Sequence, residues 1–231
     1  MTPLRIAIIG PGKMGHAIAE RAAASGDTIV AMLDSAHPVT RESLAGADVA
    51  IEFTQPDAAP TNVLACLEAG CPCVVGTTGW YDALPRIAEV VAERGGAVLW
   101  SPNFSLGVQV LAQLVRRAGE LAARLAGFDA HITEIHHAAK KDAPSGTALM
   151  LRDAFAHRGE REVPITSIRV GHVPGTHRLV LDGPFEQIVV AHDVRDRRVF
   201  ADGALVAARW LVGKRGVFTL TDVLEDSETR T

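Results

Sequence analysis

Lysine is scarce in this chain. Only Lys13, Lys140, Lys141 and Lys214 stand among its 23 lysines and arginines, so a lysine inside a dense polar segment needs a reason. Cysteine is scarcer still, with Cys66, Cys71 and Cys73 the full set. An odd number gives no disulfide framework, and Cys71-Pro72-Cys73 lacks the two-residue spacer and second pair of a zinc site. They read as small buried apolar side chains in a helix-to-strand segment, and such usage fits a reducing compartment. No apolar run approaches the roughly 20 residues that cross a bilayer. The opening Met1-Thr2-Pro3-Leu4-Arg5 has no signal-peptide pattern. Basic charge is not in excess, and a net charge of −4 offers no footprint for nucleic acid. No internal repeat or low-complexity tract occurs. The expectation is a cytoplasmic protein without a nucleic-acid or membrane partner and without a metal. What is present is a globular composition, 48% hydrophobic and 22% charged over 231 residues, enough for one large domain or two small ones.

The first part of the chain alternates strand-like and helix-like segments. Leu4 to Ile9, Thr28 to Leu33, Ala47 to Phe53, Pro72 to Val75 and Ala97 to Trp100 are short apolar runs. Between them, His16 to Ala24, Asp57 to Glu68 and Leu84 to Arg94 read as helices. That alternation predicts a parallel sheet with right-handed crossovers. After about residue 104 the grammar changes to α+β. Gly107 to Leu125 reads as a long amphipathic helix, Asp129 to His137 as a strand and Thr147 to His157 as a helix. Ile165 to Val173, Arg178 to Leu181 and Gln187 to Val194 follow as strands, with turn signals at Pro174-Gly175 and Asp182-Gly183-Pro184. Gly203 to Val212 reads as a last helix and Val217 to Leu224 as a strand-like tail. The fold class expected is α/β with a second, α+β domain.

The first strand runs into Gly10-Pro11-Gly12-Lys13-Met14-Gly15 and then a helix, and Asp34 closes the second strand. Strand, G-x-G-x-x-G, helix and acid form the dinucleotide-binding, Rossmann-like arrangement. In it Gly10 lets the chain turn, Gly12 lets backbone approach a pyrophosphate, and Gly15 permits close helix packing. The helix N-terminus offers N–H groups to the phosphates. Asp34 is placed to accept from a ribose hydroxyl and favours NADH, whereas Lys13 could neutralise the 2′-phosphate of NADPH. Ser35 occupies the place where an arginine might have stacked on adenine. The expectation is NADH with NADPH also accepted. Gly76-Thr77-Thr78-Gly79 and Ser101-Pro102-Asn103-Phe104 follow the fourth and fifth strands, at the carboxyl edge where ligands of open sheets bind. Consecutive loops on that edge suit the nicotinamide half.

The densest polar segment is Glu134 to Ala148, E-I-H-H-A-A-K-K-D-A-P-S-G-T-A. Backbone N–H groups around Ser145-Gly146-Thr147, where a helix begins, suit an anion such as a carboxylate, and the Thr147 hydroxyl adds a donor. Lys140 can bring charge to the same group or deliver a proton. His136 titrates near neutrality and can act as general acid or relay. A strand continuing through His136 and His137 would turn them to opposite faces, leaving one for catalysis. Lys141 reads as a solvated charge and Asp142 as a tie within its own loop.

This segment, with G-T-T-G at Gly76, S-P-N-F-S at Ser101 and F-A-D-G-A at Phe200, resembles the 4-hydroxy-tetrahydrodipicolinate (dihydrodipicolinate) reductases over nearly the whole chain. The resemblance implies NAD(P)H-dependent reduction of a cyclic, unsaturated dicarboxylate in lysine and diaminopimelate synthesis. It implies His136 as proton donor and acceptor and Lys140 as proton donor. His137, Ser145, Gly146, Thr147 and Arg197 would hold the substrate, Arg197 standing three residues before Phe200 with Arg198 beside it. Gly10 to Gly15, Asp34, Gly76 to Thr78 and Ser101 to Phe104 would hold the nucleotide. It further implies a dinucleotide domain of residues 1–104 and 213–231. Residues 105–212 would form a substrate-binding and oligomerisation domain with an open mixed sheet, joined in a homotetramer. Hinges are expected near Asn103 to Gly107 and Val212 to Gly216. Two departures stand out: the glycine loop is one residue shorter than in many members, and the segment from Arg169 to His177 is trimmed.

Overall fold

The computed structural model describes residues 2–124, 127–155 and 163–226. The chain forms two compact units, Met1–Ser105 with Arg198–Thr231, and Leu106–Arg197. The first unit opens with β1 (Arg5–Ile9), α1 (Lys13–Ala24), β2 (Thr28–Leu33), β3 (Val49–Glu52), α2 (Ala59–Ala69), β4 (Cys73–Val75), α3 (Leu84–Arg94) and β5 (Ala97–Trp100). The second comprises α4 (Leu106–Ala122), β6 (Asp129–His136), α5 (Gly146–Phe155), β7 (Ile165–Arg169), β8 (Thr176–Asp182) and β9 (Gln187–Asp193). The chain then returns with α6 (Arg198–Leu211), β10 (Gly216–Thr219) and α7 (Leu220–Glu225).

The first unit is a six-stranded sheet in the order β10-β5-β4-β3-β1-β2, parallel throughout. Strands β1, β3 and β4 are almost wholly buried, as expected of parallel strands covered on both faces. All three cysteines are buried here, and burial pushes the Cys71 thiol up to about 12. The strand order reverses between β1 and β3, so the loops leaving their carboxyl ends flank the switch point where ligands of such sheets bind. Helix α6 packs on α1 and on β3, β4 and β5. The F-A-D-G-A glycine explains the fit: a Cβ on Gly203 would sit 1.7 Å from the Phe104 carbonyl oxygen.

That packing moves the expected boundary. The chain re-enters the first unit at Arg198, not at residue 213, because the apolar face of α6 is buried against the parallel sheet. The expected tail strand is also shorter. It stops at Thr219, where Thr219 and Asp222 form a capping box and start α7.

The second unit is a four-stranded mixed sheet, β7-β6-β8-β9, in which only β6 and β7 run parallel. Ile132 and Leu179 face helices α4 and α5 and share a core with Leu111, Val115, Ala148 and Leu151. Alternation therefore sends Glu134 and His136 to the helix-covered face as well. The opposite face carries Ile168 and Val189, both exposed, with Ile135 and Val180 half-buried. Strand β7 ends at Arg169, four residues short of the expected Val173, as the chain turns at residues 171–172. The expected ends of α4 at Leu125 and of α5 at His157 lie outside the described residues.

Candidate active site

In the first unit, three loops converge on Phe53, which follows β3. Gly10 has φ of +96°, and a Cβ there would sit 2.1 Å from the Phe53 carbonyl oxygen. A Cβ on Gly76 would fall 2.1 Å from the Phe53 ring, and that ring packs on Phe104 at 5.8 Å between centroids. The glycine loop, the G-T-T-G loop and the S-P-N-F loop are thus drawn together by one aromatic that sequence reasoning missed. Gly15 presses on the Gly10 carbonyl, where a Cβ would come within 2.3 Å. Gly12, by contrast, has nothing within 4 Å of its Cβ position. Its backbone opens onto free space at the N-cap of α1, with Lys13 exposed and Pro11 and Met14 half-buried beside it.

Two hydroxyl side chains of the expected nucleotide loops are engaged within the loops themselves. Thr77 Oγ1 accepts from the Thr54 amide at 2.7 Å, and the Thr77 carbonyl accepts from Trp80 Nε1 at 2.7 Å. Ser101 Oγ donates to the Asn103 carbonyl at 2.7 Å. Exposed Thr78 and Pro102, half-buried Gly76 and Asn103, and loop backbone remain on the surface of this edge. Asp34 Oδ1 accepts from the amides of Ala36 and His37, both at 2.9 Å, and meets His37 Nδ1 at 3.0 Å. The His37 side chain, then its amide, holds the Asp34 carboxyl below its ordinary range. Beneath the loops, Glu52 is fully buried and receives the Thr54 hydroxyl, and burial pushes its carboxyl up.

In the second unit the reactive segment is organised by Glu134, another residue that sequence reasoning did not single out. Arg169 binds it in two-pronged fashion, Nη2 to Oε1 at 2.6 Å and Nη1 to Oε2 at 2.9 Å. His136 Nδ1 lies on Oε2, and the Ser145 amide donates to Oε1 at 3.2 Å. The signal for Glu134 was its place two residues before His136, on the same strand face. Arg169 and His177 needed strand register to be found. Arg169 is the parallel partner of His136, and His177 the antiparallel partner of Glu134.

Ser145 is buried, and its Oγ caps α5 by accepting from the Ala148 amide at 3.2 Å. Because the Ser145 N–H is taken by Glu134, the anion nest narrows from the expected three residues to exposed Gly146 and half-buried Thr147. Lys140 Nζ donates to both carboxylate oxygens of Asp142, at 2.7 and 2.9 Å, so Asp142 ties the loop as expected. Strand β6 ends at His136, which leaves His137 half-buried with its carbonyl accepting from the Lys140 amide at 3.1 Å. Arg197, exposed at the last position of the unit, is not among the groups hydrogen-bonded in this cluster. Among the described residues no group of three His, Cys, Asp or Glu side chains could hold a metal ion.

The electrostatics set protonation states. Burial alone would raise Glu134, but the Arg169 guanidinium, the neighbouring Ser167 hydroxyl and His136 outweigh it and bring the carboxyl down to about 2. His136 is lowered by burial, against the pull of Glu134. His177, 3% exposed and edge-on to His136 at 5.1 Å, is lowered by burial and by His136 to about 4. An acid-sensitivity follows. Between the ordinary pH 6.5 and about 4, the unfolded chain takes up a proton at His177 that the folded chain refuses. Stability therefore falls as pH drops through that window, by about 3 kcal/mol from this group. Glu134 stabilises above its ordinary 4.5 and loses that contribution as pH falls toward 2. Melting temperature against pH should be distinctly flatter between 6.5 and 4 in His177→Gln; an unchanged slope would place the sensitivity elsewhere.

The family model "Dihydrodipicolinate reductase, N-terminus" matches residues 4–104, and "Dihydrodipicolinate reductase, C-terminus" matches residues 107–224. The chain is 41% identical to a 4-hydroxy-tetrahydrodipicolinate reductase of Stenotrophomonas maltophilia, over 97% of this chain and 99% of that protein. It is 35% identical to one of Christiangramia forsetii, over 96% and 98%. Among solved structures it resembles a dipicolinate-bound dihydrodipicolinate reductase from Paenisporosarcina sp. TG-14, with a TM-score of 0.78 and 24% identity, covering 94% of this chain and 98% of that one. With both halves matched and relatives similar from end to end, the chain belongs to the dihydrodipicolinate reductase family.

Proposed function

We propose that this chain is an NAD(P)H-dependent oxidoreductase that reduces 4-hydroxy-tetrahydrodipicolinate, by way of dihydrodipicolinate, to tetrahydrodipicolinate. The reaction belongs to lysine and diaminopimelate biosynthesis. The observation that carries this reading is the cluster of His136, Ser145 and the start of α5 on Glu134, to which Lys140 is tied through Asp142 and Arg169, in a chain of that family.

The first unit would hold the nucleotide on Gly10, Pro11, Gly12, Lys13, Met14 and Gly15, with Asp34, Gly76, Thr77, Thr78, Ser101, Pro102, Asn103 and Phe104 around it. The open space beyond Gly12 fits a pyrophosphate, since no side chain fills it. A bound reduced nicotinamide supplies the hydride. NADH is preferred and NADPH accepted: the Asp34 carboxylate opposes a 2′-phosphate, and exposed Lys13 offsets it. The ratio of kcat/KM for the two nucleotides should favour NADH by less than a hundredfold; a hundredfold preference for NADPH would contradict the roles given to Asp34 and Lys13.

In the second unit Gly146, Thr147 and Lys140 clamp one carboxylate of the diacid, with His137, Ser145 and Arg197 supporting the substrate. Lys140 delivers the proton that completes the reduction, and His136 serves as the neighbouring proton donor and acceptor. The open face of the sheet, with Ile168 and Val189 exposed, supports association of four copies through it. Sedimentation should give the mass of a tetramer, and Val189→Glu should dissociate it; a wild-type monomer contradicts that assembly. The function itself is tested by following nucleotide oxidation with 4-hydroxy-tetrahydrodipicolinate against a panel of other cyclic imines and 2-oxo acids. The expected result is turnover of the first alone. Faster turnover of an oxo acid with ammonia would make the chain an amino-acid dehydrogenase.

A further inference from the structure

We propose that Glu134 is a positioning residue that fixes the proton of His136 on Nδ1 and leaves Nε2 as the nitrogen that accepts. The inference rests on the reading of His136 as an acid–base group of the reductase. Glu134 is fully buried and collects four donors: Arg169 Nη2 and the Ser145 amide on Oε1, Arg169 Nη1 and His136 Nδ1 on Oε2. A carboxylate bound to an arginine on both oxygens is ionised and has no proton to give. The hydrogen bond to His136 therefore runs from Nδ1–H to Oε2. With that proton placed, neutral His136 carries its lone pair on Nε2. This nitrogen points toward Gly175, where a Cβ would lie 3.1 Å away, so the absence of a side chain leaves room beside the accepting atom.

The same carboxylate also registers the second reactive group. Arg169 Nη2 donates to the Asp142 carbonyl at 2.5 Å, while the Asp142 carboxylate holds Lys140 Nζ at 2.7 and 2.9 Å. One buried anion thus sets the tautomer of the histidine directly and, through Arg169 and Asp142, the station of the lysine. In its resting form His136 is a proton acceptor at Nε2, and the proton available for donation is on Lys140.

Glu134→Gln separates this role from simple support of the fold. An amide has one acceptor oxygen and two N–H groups. The Oε1 position, which receives Arg169 Nη2 and the Ser145 amide, will take the oxygen. The NH2 group then faces Arg169 Nη1, which keeps its bond to the Ile168 carbonyl, and His136 Nδ1, the one partner of this carboxyl that can turn acceptor, so the imidazole proton moves to Nε2. Long-range nitrogen–proton NMR of histidine-labelled protein at mildly alkaline pH reads the tautomer, with His136→Gln assigning the signal. The expected result is Nδ1–H in the wild type and Nε2–H in Glu134→Gln. The kcat of the variant should fall on the order of a hundredfold, with the KM for the nucleotide unchanged. Nε2–H in the wild type overturns the proposal with no variant needed, and so does an unaltered tautomer in a folded Glu134→Gln. If the wild type shows Nδ1–H yet does not turn over the substrate, the reaction assignment falls while the hold of Glu134 on the ring stands.

Discussion

Lys140→Ala loses activity on the order of 10²-fold or more in kcat, while its affinity for the reduced nucleotide, read by fluorescence, stays at the wild-type value. The split follows from where the residue sits. Lys140 belongs to the second unit, in the loop between β6 and α5, and the glycine loop that would take the nucleotide belongs to the first. Its side chain is 24% exposed and held by Asp142, so the ammonium is stationed rather than free to sweep the surface. Lys140→Arg should recover part of the substrate binding but little of kcat, since a guanidinium keeps its protons where an ammonium can release one. Equal damage to turnover and nucleotide affinity in Lys140→Ala would make the lysine a structural residue.

The second large effect separates three glycines that look alike in the sequence. Gly12→Ala should weaken nucleotide binding more than tenfold and shift the melting temperature little. Its backbone is extended and its Cβ position empty, so a methyl group intrudes only on a ligand. Gly10→Ala and Gly15→Ala should lose both binding and stability. At Gly10 the positive φ and the Phe53 carbonyl, 2.1 Å from a Cβ, leave no place for a side chain. At Gly15 a Cβ would press within 2.3 Å on the Gly10 carbonyl and force α1 off the sheet. Wild-type binding by Gly12→Ala would mean that the phosphates lie elsewhere.

The sequence carried much of this because the relevant signals are local. Alternating apolar runs marked the parallel sheet, and the glycine spacing marked the loop at its switch point. The polar segment from Glu134 to Ala148 marked the stretch of the second unit whose side chains and backbone gather on a buried carboxylate. What was not legible depends on register or on crossing the chain. Nothing local says that Arg169 lies beside His136, or that His177 lies opposite Glu134. Likewise α6 follows the strands of the second unit in the chain and is expected there, and only its packing on α1 and the parallel sheet assigns it to the first. Ser145 looked like one donor of an anion nest, yet its amide serves the buried carboxylate and its hydroxyl caps the helix. Such a double use is invisible until the strand brings Glu134 beneath it.

Crystals grown with pyridine-2,6-dicarboxylate and the reduced nucleotide offer the most direct measurement. One carboxylate of the diacid should rest on the backbone at Gly146 and Thr147 with Lys140 Nζ against it. Density for the diacid away from residues 136–147, in protein that is catalytically competent, would contradict the site.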